Sequence, residues 1–399
     1  MKRITMLLVM NLLVSLYLGL PMARANGDET GKLKEELQLL KSQFNELKAG
    51  YENRISELEK KITEAPTPLP GMKKQVMNLP DISFVGDVAG TYGDDIDESD
   101  RKKIILRETE LALQGYLYPD IRADVFAALH RHSDDGEYKA ELEEGYISFL
   151  KTPVEGLSLK AGKKLLDFGK LNPIHTHHWN FVDRPEVLKS YFGDHGVATQ
   201  GVNFSYLVPL PFFLQADFGI WHVDSEHTHS GDILGLADET YSTRLWSSFD
   251  LTQDQELEVG VSGVKSYGSH YAEHKDKVKV AGLDLTYRHI GKGYERLLFQ
   301  NEFLFMDRDV PAGDLDRFGC YSLLNYRLDK YWDIGVRYDW METPFPEEKE
   351  KTFISTILTR ALTETTKLRL QYKYDMKNDD HTIYLQTTFG IGPHAHPLE

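Results

Sequence analysis

The chain has one cysteine in 399 residues, Cys320, so no intramolecular disulfide can staple it. Cys320 lies in an alternating stretch and reads as a small apolar residue. After residue 25, no segment approaches the roughly 20 consecutive apolar residues that a membrane helix needs. Positive charge is also in short supply. Against 62 Asp and Glu stand 46 Lys and Arg, for a formal net charge of −16, which argues against nucleic acid as a partner. Common enzyme motifs are missing as well. The sequence has no G-x-S-x-G, no H-E-x-x-H and no glycine-rich phosphate loop before a helix, so the expectation is a protein that is not an enzyme.

What is present begins with a targeting pattern. Lys2 and Arg3 precede an apolar core from Leu7 to Leu20, followed by the small-residue site Ala23-Arg24-Ala25. This layout predicts a secretory signal peptide over residues 1–25. Without Lys2, Arg3 and Arg24 the net charge becomes −19. Residues 26–64 form the next region. There Leu33, Leu37, Leu40, Phe44, Leu47 and Tyr51 recur at spacings of four and three, the seam of a coiled coil. The pattern resumes out of phase at Ile55, Leu58 and Ile62, as a stutter would. Residues 65–81 start with Ala65-Pro66-Thr67-Pro68-Leu69-Pro70-Gly71, where closely spaced prolines forbid helix and stiffen a linker.

From residue 82 to 392 the periodicity changes to two. Asp333 to Trp340 places Ile334, Val336, Tyr338 and Trp340 on one face and Asp333, Gly335, Arg337 and Asp339 on the other. Lys367 to Tyr374 does the same with Leu and Tyr against Lys, Arg and Gln. Successive side chains of a strand point to opposite faces, so each segment reads as a strand with one apolar side. Sixteen such segments follow one another, joined alternately by long loops and by tight turns such as Tyr118-Pro119-Asp120 and Gly291-Lys292-Gly293. That rhythm predicts an all-β chain: a transmembrane antiparallel barrel of about 16 strands in a bacterial outer membrane, its outside against lipid and its lumen wet. An even strand number puts both termini on the short-turn side, and with them a periplasmic coiled coil. Residues 393–399 remain as a tail.

The longest connection, Asp167 to Gln200, joins the fifth and sixth strands. In layout this resembles the general bacterial porins, whose third loop folds into the barrel and narrows it. The loop carries Asp167, Asp183, Glu186 and Asp194, while alternation turns Arg317, Arg327, Arg337, Lys367, Arg369 and Lys373 of the late strands inward. Glu108, Glu110, Glu256 and Glu258 are the inward acids of earlier strands. An acidic loop facing a basic wall predicts a transverse field across a constriction, a device that sets selectivity among small solutes.

The same loop reads Gly169-Lys170-Leu171-Asn172-Pro173-Ile174-His175-Thr176-His177, then Phe181-Val182-Asp183-Arg184-Pro185, then Phe192-Gly193-Asp194-His195-Gly196. These runs, with the His-containing tail Gly392-Pro393-His394-Ala395-His396-Pro397, resemble a family of uncharacterised outer-membrane proteins sometimes described as porin-like or zinc-regulated. The resemblance implies a porin-like barrel with a link to metal supply. On that reading the function is passive diffusion of small hydrophilic solutes, by a homotrimer clamped through its coiled coils.

Two alternatives remain. Twelve of the fifteen histidines fall in or beside long loops, among them His130, His132, His222, His227, His229, His270, His274 and His381. Imidazole with carboxylate binds zinc, copper or nickel, so His175, His177, His178 and His195 are candidate ligands of a bound or transported Zn²⁺ in a metal-uptake protein. Adjacent histidines such as His177 and His178 rarely reach one ion without strain, and holding the loop against the wall is the simpler role for His175 and His178. The second alternative is a structural tether from the membrane to the cell wall. An energised receptor is excluded, because the chain has no room for about 22 strands and a large plug domain.

Overall fold

A computed structural model describes residues 80–93, 103–131, 136–223, 234, 236–268, 276–310, 313–345 and 350–393. The signal peptide, the coiled coil, most of the linker, the tail beyond 393 and His132, His227, His229, His270 and His274 lie outside these residues.

Sixteen strands close into one antiparallel barrel, each bonded to its sequence neighbours and β1 to β16. They are β1 (Asp81–Gly93), β2 (Ile104–Tyr118), β3 (Ile121–Arg131), β4 (Tyr138–Phe149), β5 (Leu157–Leu165), β6 (Ala198–Leu207), β7 (Gln215–Val223) and β8 (Leu236–Thr252). The second half comprises β9 (Gln255–Gly268), β10 (Lys277–Ile290), β11 (Arg296–Val310), β12 (Gly313–Arg327), β13 (Trp332–Glu342), β14 (Glu350–Ala361), β15 (Thr366–Asp375) and β16 (Asp380–Ile391). Closure pairs Phe84 with Ile391 and Gly93 with Thr382, and removes both sheet edges.

Alternation sorts the two faces. Ile334 and Val336 of β13 point outward while Arg337 and Asp339 are fully buried inside. Leu370, Leu385, Ile220 and Leu245 continue the apolar exterior around the barrel. Exposed Tyr116, Tyr118, Tyr294 and Tyr331 sit at the short-turn end, and Tyr92 and Tyr138 at the long-loop end. A soluble surface does not tolerate so continuous an apolar belt, whereas a bilayer demands it, flanked by aromatic girdles.

The inside departs from the expectation of a wet lumen. Val264, Val278, Val280, Leu304, Met306 and Met341 towards the long loops, and Leu323 and Ile357 nearer the short turns, line the interior in one cluster with Phe168, Leu171, Phe181, Val187, Leu188 and Phe192 of the β5–β6 loop. The polarity of β10 explains how this passes the alternation test. Lys277 and Lys279 face out, Lys279 pairing with Asp307 of β11 at 3.0 Å, and Val278 and Val280 face in. At that height the pattern is the inverse of the lipid-facing belt, and a period of two is blind to which face is which.

Two of the barrel's β-bulges shape the wall of β2–β4. Asp87 pairs with Glu108 but Val88 with Leu106, leaving Arg107 as the extra residue of β2. Phe126 pairs with Glu144 but Ala127 with Leu142, leaving Glu143 extra in β4. A bulge re-aims side chains, so Arg107 with Glu108, and Glu143 with Glu144, turn to the lumen together.

Candidate functional site: a loop folded across the lumen

The segment between β5 and β6, called L3, crosses the barrel and touches strands all round it. It contains a 3₁₀ turn, Thr176–His178, and one short helix, α1 (Glu186–Phe192). The helix starts after Pro185, whose ring fixes the entry. It ends at Gly193, where φ is +83° and the amide bonds to Lys189 O. Sequence periodicity gave no hint of so short a helix.

The loop's turns are fixed from within. Gly169 has φ +61°, and a Cβ there would collide with the Glu302 carboxylate, so glycine is required. The fully buried Asn172 donates to Leu166 O at 2.7 Å and accepts from Arg184 Nη2 at 2.8 Å and from the Val197 amide at 3.3 Å, tying both ends of L3 together. Gly196, at φ +87°, leaves room for that junction.

Wall contacts then satisfy the loop's exposed backbone. The Gly169 amide donates to Ser262 Oγ at 3.0 Å, Leu171 N to Glu302 Oε1 at 2.9 Å and Val182 N to Gln371 Oε1 at 2.7 Å. Buried amides must find such partners. Strand β1 joins through the β2 bulge, where Arg107 pairs with Asp87 and donates to Val182 O at 3.0 Å.

On the β13–β15 side charges are complementary. Arg337 donates to Asp183 Oδ1 at 2.9 Å, Asp183 O at 2.7 Å and Asp339 Oδ2 at 2.8 Å, with its guanidinium 4.6 Å from the Phe181 ring centre. Lys373 bonds Asp183 at 3.0 Å and Glu186 at 2.5 Å. Arg369 donates to the carbonyls of Phe181 and Trp179 at 2.9 and 2.7 Å. Burial alone would raise both loop carboxyls. Arg337 and Lys373 outweigh it at Asp183, and Lys373 and Lys189 at Glu186, holding the first well below and the second below the usual carboxylate range.

On the β2–β4 side the wall is acidic. Glu108, Glu110, Glu143 and Glu144 converge on L3. His175 answers three of them: Nδ1 lies 2.9 Å from Glu110 and 3.2 Å from Glu143, and Nε2 lies 2.8 Å from Glu144. Burial would lower the imidazole's proton affinity, yet the hydrogen bonds to these carboxylates win and hold His175 well above its ordinary value. His177 is buried with Nδ1 3.8 Å from Glu110, and His130 bonds Glu143 at 3.0 Å.

The residues expected to form a constriction therefore scatter. Asp183, Glu186, Arg337 and Lys373 meet in direct contact, so acid and base are joined rather than held apart across open water, while Arg369 holds loop carbonyls instead. Asp167 pairs with Lys164 at 2.6 Å, and Asp194 with Lys189 at 3.2 Å within the loop itself. Arg317 holds the β13–β14 connection through Thr343 O and Phe345 O. Arg327 pairs with Asp333 at the short-turn rim, and Lys367 is half-buried at the start of β15. The four candidate metal histidines do not converge either. Among the described residues, His175, His177 and His195 fall in three different His–carboxylate groupings and His178 in none.

Open space lies beside L3 on the β3–β8 side of the barrel. A cavity of about 390 Å³ lies between L3 residues such as Asp167, Lys170 and His178 and the wall residues Arg122, Asp124, Lys160, Lys164, Asp217 and Arg244. Of these, the sequence marked Asp167 and His178 as candidates and Lys170 as part of the loop motif. Glu143, Glu144 and Arg107 also escaped it, although breaks in alternation at Leu106-Arg107-Glu108 and Leu142-Glu143-Glu144 were visible signals.

Against known proteins, no family profile matches the chain. An uncharacterised protein of Aquifex aeolicus (strain VF5) is 24% identical over 372 residues, covering 82% of this chain and 77% of that one. Among solved structures, the barrel is similar to OmpF of Salmonella typhi (8% identity, TM-score 0.53, covering 79% and 98% of the two chains). It is also similar to the outer membrane channel DcaP of Acinetobacter baumannii (10%, 0.52, 81% and 100%) and to an anion-selective porin of Comamonas acidovorans (12%, 0.50, 78% and 100%). At these identities the likeness shows the fold: a closed sixteen-strand barrel of the porin type.

Proposed function

We propose that the protein is an outer-membrane porin that passes small hydrophilic solutes by diffusion, through a passage narrowed by L3. The single observation that carries this reading is a closed barrel, apolar outside, with a long loop folded across its lumen and a charged cavity beside that loop. A hydrated, mixed-charge passage of that kind suits small polar solutes and rejects apolar ones. The similar barrels of DcaP and the Comamonas porin, described as a channel and as an anion-selective porin, support the class and leave the solute open.

Single-channel recording of the purified protein in a planar bilayer tests the reading. Steady, small conductance steps are expected, rising several-fold when residues 176–192 are replaced by a short Gly-Ser link. Absence of conductance from both proteins would refute it.

Self-association as a homotrimer, with the coiled coil of residues 26–64 as a periplasmic clamp or a contact to the cell wall, belongs to the same proposal. Analytical ultracentrifugation after deletion of residues 26–70 should show weakened trimers, and unchanged trimers would reject the clamp. The metal-uptake alternative draws on one observation, the meeting of imidazoles and carboxylates on the β2–β4 wall. It requires zinc to cross the barrel, and zinc flux into proteoliposomes that is no faster than leak would dismiss it.

A further inference from the structure

At the long-loop end of the β2–β4 wall, Glu108 of β2, His130 of β3, the bulge residue Glu143 of β4 and His195 from the exit of L3 form a four-residue group. Each side chain offers one ligand atom, and the four atoms lie within 4.8 Å of one another. Register makes this no accident of loose side chains. Glu108 and His130 are direct cross-strand partners, and the bulge swings Glu143 inward beside them.

The spacing suits a small cation. In a tetrahedral site with bonds of about 2.0–2.1 Å, neighbouring ligand atoms stand about 3.3 Å apart. His130 Nδ1 lies 3.7 Å from Glu108 Oε2, close to such an edge, while the other nitrogen of the same ring, Nε2, lies 3.0 Å from Glu143 Oε1; only one of the two nitrogens can face the ion. The His130 and His195 rings approach to 4.3 Å between centres. His130 is 4% exposed, and its Nδ1 has no hydrogen-bond partner among the described residues. A buried imidazole nitrogen aimed at a carboxylate beyond hydrogen-bond reach is what an intervening ion would explain.

Chemistry favours the same answer. Two carboxylates carry two negative charges, which one divalent ion neutralises, and two imidazoles select a first-row transition metal over calcium or magnesium. The Thr176 hydroxyl donates to Glu108 Oε2 at 2.9 Å, the outer-shell bond expected behind a ligand. Arg107, whose charge would oppose a cation, is committed to Asp87. His195 is exposed, which leaves an entry from the long-loop side.

We propose that Glu108, His130, Glu143 and His195 bind one divalent transition-metal ion of the zinc class, a resident ion that fastens the exit of L3 to the barrel wall. The site does not depend on the channel reading and would stand if no solute passed.

Cobalt titration of the metal-stripped, detergent-folded full chain tests it, with folding checked by heat-modifiable gel migration. One Co²⁺ per chain should bind with the intense visible absorption of a four-coordinate ion, and zinc should displace it. His195→Ala, at an exposed position whose ring contact is with His130, should weaken binding by more than the roughly 10–100-fold cost of an outer-shell loss. Thr176→Val should fall within that range. His178→Ala and a His394→Ala/His396→Ala variant should leave the band intact. Absence of the band at excess cobalt, or a band of full strength in His195→Ala, would overturn the assignment.

Discussion

The two walls that grip L3 solve the same problem in opposite ways. On β13–β15, Arg337, Arg369 and Lys373 meet Asp183, Glu186 and loop carbonyls, so every buried charge has an opposite charge or an acceptor. On β2–β4, four glutamates crowd together and depend on histidines for relief. The first wall is self-sufficient. The second depends on His175 and His130 and, in our proposal, on a metal ion nearby. The difference teaches that one end of the loop is anchored unconditionally and the other is open to control.

Breaking the self-sufficient wall should have the largest effect. Arg337→Ala strands Asp339 and leaves Asp183 with Lys373 as its one cation, and loss of one partner of a buried pair costs about 3–5 kcal/mol. The barrel ladder stays intact, so the cost should appear as release of L3, read as rapid proteolysis between residues 176 and 192. On the opposite wall, His175→Gln keeps a donor for one carboxylate while removing the positive charge. Its expected cost is about 1–3 kcal/mol, seen as partial protease sensitivity. If His175→Gln freed the loop more than Arg337→Ala, the ranking of the walls would be reversed.

Acid sharpens the comparison further. The folded carboxyls of Asp183 and Glu186 titrate below their unfolded values, held there by Arg337, Lys373 and Lys189 against burial and the nearby Asp339. Their stabilisation is therefore complete above the ordinary carboxylate range of about 4 and disappears only as pH falls through the depressed folded values. Lowering the pH from 7 to 5 should leave the protease resistance of the Asp183–Glu186 segment unchanged, as limited digestion at each pH would report. The smallest effect is expected at Arg327→Ala. Its pair with Asp333 is half exposed at the rim and far from L3, worth about 0–1 kcal/mol, with no change in conductance or melting.

Much of the barrel was legible because strand geometry writes itself into sequence with a period of two. The alternating stretches Asp333 to Trp340 and Lys367 to Tyr374 fall within β13 and β15, one or two residues short of each end, and the strand count agrees. The placement of L3 between β5 and β6 was equally plain from its length. What escaped was anything that violates or ignores that period. Glu143 and Arg107 turn inward because of bulges, and an extra residue looks like noise in an alternating pattern. The apolar lumen near Val278 and Val280 escaped because alternation does not say which face is inside. The pairing of Asp183 with Arg337, 154 residues apart, rests on where L3 lands. The motif residues Gly169, Asn172, Phe181, Asp183 and Gly196 did mark the site. Their work in the structure is to fold and dock the loop, whereas the sequence suggested ligands and a lining.

The central claim is that L3 is a docked part of the fold and not a free strap. Hydrogen exchange resolved to single amides tests it most directly. The amides of Gly169, Leu171 and Val182, which bond to Ser262, Glu302 and Gln371, should exchange as slowly as those of the adjoining strands. Exchange of all three at the rate of an open chain, with the strands still protected, would contradict the account.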